Sequence, residues 1–126
     1  MTGVTWFVQI VHYPLMSAVG SERFPFYETA HSRLTSFVVI APMTLELVLA
    51  VALLIRRPDS VGMNAAAIGA ALVAVIWLST FLLQVPQHDT LSHGFSTTAH
   101  QRLVRTNWIR TIAWTLRSVL VVWMLR

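Results

Sequence analysis

The chain has 126 residues, of which 56% are hydrophobic and only 11% are charged, and its formal net charge at pH 7 is +4. Soluble domains carry about a quarter charged residues, so this composition favours a protein embedded in a membrane. The basic residues are arginines scattered among apolar segments rather than clustered in a solvated patch, which argues against nucleic-acid binding. The chain has no cysteine, which excludes disulfides and thiolate chemistry.

The first apolar segment covers residues 4–19 and is slightly shorter than the roughly 20 residues that a membrane span needs. No lysine or arginine precedes it, whereas a signal peptide begins with a positively charged region. The segment therefore predicts a first transmembrane helix. We expect a kink near Pro14, because proline cannot donate a hydrogen bond to the carbonyl of Ile10. His12 lies near the middle of this helix.

Residues 20–33 form a polar connection in which Glu28 and His31 are separated by three positions. On a helix this spacing places both side chains on one face, and it occurs in carboxylate-bridged metal sites inside helix bundles. Together with His88, these residues form a candidate metal site. The alternative is that they are interfacial polar residues that meet lipid headgroups and water.

The second and third spans are predicted over residues 34–55 and 65–85. The second contains Pro42 and a single carboxylate, Glu46. Small residues recur every four positions around the third span, at Gly62, Ala66, Ala70 and Ala74. Such a stripe lets another helix approach closely. It therefore predicts a packing face, either within the chain or between the copies of a homo-oligomer.

A histidine-rich polar stretch follows the third span, which is expected to end at Val85-Pro86. His93 and His100 are predicted to be solvated there. Ser96 or Thr97 is suited to cap the last helix.

The apolar part of the last helix covers residues 107–125, and polar or bulky side chains recur along one of its faces, at Asn107, Arg110, Trp114 and Arg117. Arginines inside a membrane are costly and are candidates for function. The face that carries them must therefore point into the bundle.

His12, Glu46 and Arg117 each lie about half-way along their predicted spans, roughly 12–14 Å from the side that holds the termini. We therefore expect Glu46 and Arg117 to form an ion pair, with His12 hydrogen-bonded nearby. One interpretation is a structural clamp that fixes the register of the helices. The other is a polar pocket in which Glu46 and Arg117 bind a cofactor or ligand, or move protons.

The four segments together predict an all-α integral membrane protein, with one domain over residues 1–126 folded as a four-transmembrane-helix bundle. An even number of spans places both termini on the same side as the Arg56-Arg57 turn. This turn is short and basic, and short basic loops remain in the cytoplasm. The expected location is a bacterial inner membrane, crossed several times, with both termini cytoplasmic.

Two motifs lie in the last third of the chain: Val85-Pro86-Gln87-His88-Asp89-Thr90-Leu91 and Asn107-Trp108-Ile109-Arg110-Thr111. With these motifs the chain resembles the anthrone-oxygenase-like family of small four-helix membrane proteins. The resemblance implies an oxygenase that acts on polycyclic phenolic ketones without a bound metal or flavin. It makes His88, Asn107 and Arg110 the candidate site. The family often has Asn at the position of His88 and His at the position of Trp108, so the chemistry of this chain can differ.

Two classes of function remain open at this stage. In the first, a lipophilic aromatic or quinone-like substrate reaches an oxidoreductase site laterally between the helices. Arg110 and Asn107 stabilise a developing enolate or phenolate, while His12 or His88 acts as the general base. The cofactor is then either absent or a single transition-metal ion such as zinc, iron or copper. In the second class, the bundle binds a lipid or quinone without catalysis, or serves as a structural membrane subunit.

Overall fold

The computed structural model describes residues 1–126, which form four helices and no β-strand, as predicted for the all-α class. The first helix is built from four short segments: α-helical Thr2–Phe7, π-helical Val8–His12, α-helical Tyr13–Leu15 and 3-10-helical Met16–Ala18. The second helix is Phe24–Ile55. The third consists of α-helical Met63–Ser79, a π-helical turn Thr80–Gln84 and α-helical Val85–Ser92. The fourth is Thr97–Met124.

Two of these helices, Phe24–Ile55 and Met63–Ser92, are long and apolar enough to cross a membrane. The first helix is shorter, and the fourth carries several arginines. Large apolar side chains nevertheless face outward on every helix, among them Phe7, Phe37, Leu82 and Ile112.

The second helix begins at Phe24, well before the predicted span, so most of the polar connection expected over residues 20–33 is helical. The chain reverses at Gly20, whose positive φ of 82° suits glycine. Pro25 occupies the first turn, where its missing N–H costs nothing. Phe24 is buried in an apolar cluster. Glu28 and His31 therefore stand on a helix with fixed orientations.

The third helix continues past Pro86 to Ser92, so the prediction that it ends at Val85-Pro86 is also wrong. A proline inside a helix lacks an N–H and crowds the carbonyl four residues earlier. The wider π-helical turn immediately before the proline accommodates this local mismatch. The first helix has the same arrangement, with the π-helical turn Val8–His12 preceding Pro14. His88 consequently lies on a helix rather than in a loop.

The helices pack in the order first, fourth, third and second. One apolar cluster, which includes Met16, Leu91 and Leu103, lies at the end of the bundle where the first helix ends and the fourth begins. A second, which includes Met43, Ile76 and Trp114, lies deeper. Buried polar side chains occur between them, among them Gln9, Ser79, Gln84, Asn107 and Arg110.

The first helix is antiparallel to the fourth and begins beside Trp114 and Ser118 of that helix. The Thr2 hydroxyl donates to the Trp114 carbonyl at 3.1 Å, and Gln9 Nε2 donates to the Val104 carbonyl at 3.1 Å. The N-terminus is therefore level with Arg117 rather than with the end of the fourth helix. For this reason His12 lies near the opposite end of the bundle, and the prediction that it sits beside Glu46 and Arg117 is wrong.

Candidate functional site

Three side chains from two helices meet at the end of the bundle where His12 lies. Glu28 and His31 come from the second helix and His88 from the third, and one ligand-type atom of each lies within 4.8 Å of the others. The Glu28 side chain is fully buried. Its Oε1 lies 2.5 Å from His88 Nδ1 and accepts a hydrogen bond from the Ser32 hydroxyl at 3.0 Å. Its Oε2 is buried and has no hydrogen-bond partner.

Residues of the first and second helices form hydrogen bonds with the two imidazoles of this cluster. His88 Nε2 lies 2.9 Å from the Tyr13 hydroxyl. His31 Nδ1 lies 2.9 Å from His12 Nε2 and 3.1 Å from the Thr35 hydroxyl. The contact between His12 and His31 needs one donor and one acceptor, so at least one of these imidazoles is neutral.

A second polar group lies one layer deeper and includes Asn107, which is fully buried, and Arg110. Asn107 Nδ2 donates to Gln9 Oε1 at 3.0 Å, and Arg110 Nη1 donates to Asn107 Oδ1 at 3.4 Å. Gln84, from the π-helical turn of the third helix, accepts a hydrogen bond from Ser79 and donates one to Thr106. This layer connects the first, third and fourth helices.

Arg110 is only 8% exposed, yet no carboxylate neutralises it. The two ion pairs in the structure are Glu28 with His88 and Glu46 with Arg117. Arg110 Nε is buried without a hydrogen-bond partner. An arginine stays protonated in proteins, and a buried charge without a partner is costly. The guanidinium has the neutral neighbours Asn107 and Tyr13 but no negative charge beside it, so an acceptor oxygen from outside the chain would balance its charge.

A cavity of about 410 Å³ lies between the second and third helices and reaches Arg110. This volume is in the range of small-molecule sites. Its lining includes Thr29, His31, Ser36, Gln84, His88 and Arg110. Val85 and Asp89, which also line it, are exposed on the outside of the bundle. The cavity therefore runs from the helix surface to the buried guanidinium.

The residues predicted as catalytic occupy different positions around this cavity. His88 and Arg110 line it, whereas Asn107 lines a much smaller cavity of about 20 Å³ that shares Arg110. His12 lines neither cavity, and its Nε2 is hydrogen-bonded to His31 Nδ1. Trp108 lies on the outer face of the fourth helix with its ring edge-on to Trp6, away from the site.

Sequence reasoning missed Tyr13 and Gln84 as members of the site and was wrong about His100. His100 was predicted to be solvated, but it is 9% exposed, and its ring nitrogen lies 2.7 Å from the Tyr13 carbonyl. His93 is exposed, as predicted. The available signal was that Tyr13 and Gln84 are hydrogen-bonding side chains inside apolar segments next to a proline.

The predicted contact between Glu46 and Arg117 is present, with Arg117 Nε donating to Glu46 Oε2 at 3.3 Å. Neither residue lines the large cavity. Gly69 of the third helix lies directly against the Arg117 guanidinium. This placement fits the clamp interpretation, and a role of the pair in cofactor binding stays a prediction.

Comparisons with protein-family models, with curated proteins and with solved structures find no significant match to this chain.

Proposed function

We propose that the chain is an integral membrane oxidoreductase, anthrone-oxygenase-like in activity, that acts on a lipophilic aromatic or quinone-like molecule. The observation that carries the proposal is the buried Arg110 guanidinium, which has no carboxylate partner and lines a cavity of ligand size. A phenolate, enolate or quinone oxygen is an acceptor that such a group stabilises strongly when water is excluded.

Placement in a membrane explains how such a substrate arrives. Two helices are long enough to span a bilayer, and all four present apolar side chains outward. We propose that all four cross the membrane. The cavity lies between the second and third helices, so a lipophilic molecule reaches it sideways from the bilayer and places its oxygen against Arg110.

The proposed reaction uses dioxygen as the oxidant. The methylene carbon of a phenolic ketone loses two hydrogen atoms and gains one oxygen atom, and the second oxygen atom leaves as water. The step assigned to this chain is removal of the first proton, which leaves an enolate on Arg110. His88 lines the cavity and is hydrogen-bonded to Glu28, so it is placed to accept that proton.

The test measures binding and turnover of a hydroxyanthrone by detergent-purified protein. Replacing Arg110→Gln removes a charged hydrogen-bond donor, which contributes about 1.5–3 kcal/mol. We therefore expect binding to weaken by about 10- to 100-fold. Arg105→Gln is the matched control, because Arg105 is an exposed arginine on the same helix.

Oxygen uptake measured with an oxygen electrode separates the two classes of function. Uptake that depends on the hydroxyanthrone and is lost in Arg110→Gln supports an oxygenase. Binding that depends on Arg110 without any oxygen uptake supports the alternative, a non-catalytic lipid- or quinone-binding bundle. Equal binding by wild type, Arg110→Gln and Arg105→Gln contradicts the assignment of Arg110 and with it the proposal.

A further inference from the structure

We propose that Glu28, His31 and His88 bind one divalent first-row transition-metal ion. This inference goes beyond the proposed function and rests on residues other than Arg110. Two imidazoles and one carboxylate whose ligand atoms lie within 4.8 Å of one another form a donor set that suits such ions.

The hydrogen bonds behind the two imidazoles leave one nitrogen of each ring for a metal. Histidines that bind metals almost always donate the other ring N–H to an outer partner. For His31 this nitrogen is Nδ1, which contacts His12 and Thr35, whereas Nε2 has no hydrogen bond within the protein. For His88 it is Nε2, which contacts the Tyr13 hydroxyl, while Nδ1 points to Glu28.

The buried carboxylate supplies a second and independent indication of a cation. Glu28 is fully buried, and its Oε2 lacks any partner, although most buried polar atoms have one. Its Oε1 is joined to His88 Nδ1 by the proton of a hydrogen bond of 2.5 Å. A metal ion that replaces this proton gains both ligands and neutralises the carboxylate. With the ion on Nδ1 and the Tyr13 hydroxyl at Nε2, both nitrogens of His88 are occupied, so His88 does not act as the general base while the ion is bound.

The position of the three ligands gives the ion access to the cavity. His31 and His88 line the cavity, whereas Glu28 lies behind them. Three protein ligands leave coordination positions open, and two of the three ligands line the cavity. A redox-active ion at this position would supply binding and activation of dioxygen next to a molecule held by Arg110.

The test is a titration of detergent-purified protein with Co²⁺, followed by its optical spectrum, together with elemental analysis of dialysed samples. We expect about one Co²⁺ per chain. Loss of an outer-shell partner weakens metal binding about 10- to 100-fold. We therefore expect Tyr13→Phe to weaken it by about tenfold, and His31→Ala or Glu28→Gln by at least about 100-fold.

His93→Ala is the matched control, because His93 is exposed and distant from the cluster, and it should bind like wild type. Thermal unfolding of each variant shows whether it is folded, and His31→Gln serves as a milder replacement if His31→Ala is not. Absence of stoichiometric Co²⁺ in wild type, or equal affinity in His31→Gln, Glu28→Gln and His93→Ala, overturns the metal site. Neither result affects the binding of a hydroxyanthrone to Arg110, so the two proposals fail separately.

Discussion

Arg117 and Glu46 show how a charge inside an apolar bundle is stabilised by a single contact. Arg117 is 4% exposed and Glu46 is 34% exposed, and the distance from Nε to Oε2 is 3.3 Å. An arginine that loses its partner in a buried position leaves an uncompensated charge. The pair lies outside the large cavity, so its main effect should be on stability.

Replacing Glu46→Gln should therefore lower the free energy of unfolding by about 1–3 kcal/mol, because a charged hydrogen bond becomes a weaker neutral one. The measurement is chemical unfolding in detergent micelles. Glu22→Gln, which changes an exposed carboxylate, should leave stability unchanged. Binding of a hydroxyanthrone should be the same in both variants. A folded Glu46→Gln protein with normal stability and impaired binding would instead place the pair in the functional site.

The same residues show what the sequence can predict at this scale. Glu46 and Arg117 are charges in the middle of apolar segments, and the cost of burial makes their pairing predictable. Tyr13 and His100 carry no formal charge that needs a partner, so the cost of burying a charge does not predict where they lie. Their contact depends on how the first helix lies against the fourth, which spacing along one helix does not reveal.

At the scale of elements, two prolines decide where the site residues point. A sequence pattern marks Pro14 and Pro86 as places where a helix kinks or ends. In the structure a π-helical turn precedes each proline, and both helices continue. Both helices continue because the backbone carbonyl that lacks a hydrogen-bond donor at each proline is accommodated in the wider π-helical turn. Local sequence cannot distinguish that outcome from a helix end, so His88 was expected in a loop.

The crossing of the third and fourth helices depends on a different small residue from those of the predicted stripe. Ala66 is buried and Ala70 is half-buried, whereas Gly62 and Ala74 are exposed. The close contact is at Gly69, where an added Cβ would overlap the Arg117 guanidinium. A spacing of four residues does place side chains on one face of a helix. The face of the third helix that meets the fourth, however, is the one on which Gly69 contacts Arg117. An oligomer formed through the predicted stripe stays a prediction.

Gly69→Ala should displace the Arg117 guanidinium and uncouple it from Glu46. The expected result is a non-additive double-mutant cycle, in which Glu46→Gln costs about 1 kcal/mol less in the Gly69→Ala background than in wild type. Gly62→Ala is the matched control, because no atom lies within 4 Å of a Cβ at Gly62. In that background Glu46→Gln should have its full effect. Additive losses with Gly69→Ala would show that Arg117 keeps its partner.

At the scale of the whole molecule, hydrogen-bonding side chains are concentrated toward one end of an otherwise apolar bundle. The cluster of Glu28, His31 and His88 lies at that end, the Arg110 layer lies below it, and the Arg117 pair is deeper still. The four helices and this polarity were predictable from hydrophobic segments and their interruptions. The level of the first helix was not, because hydropathy gives the length of a span but not its vertical offset from a neighbour.

Because of that offset, the position of the first and fourth helices relative to the membrane is the property of the fold that most needs a test. Only the second and third helices have the length and apolarity of spans by themselves. The first and fourth present Phe7 and Ile112 outward, 59% and 52% exposed, and bury polar residues such as Gln9 and Arg110. Backbone groups in a bilayer must be satisfied within helices. The apolar surface on every helix supports the proposal that all four helices lie in the membrane.

Single cysteines test this arrangement directly, because the native chain has none. In membrane vesicles, Phe7→Cys and Ile112→Cys should resist a water-soluble maleimide, because the proposed four-span bundle places both positions against lipid. Ser21→Cys and Ser60→Cys lie in turns at opposite ends of the bundle and should react from opposite sides. With cytoplasmic termini, Ser21→Cys reacts in right-side-out vesicles and Ser60→Cys only after permeabilisation. Labelling of Phe7→Cys or Ile112→Cys at the rate of Ser21→Cys would contradict the four-span bundle, because it would place the first or fourth helix in water.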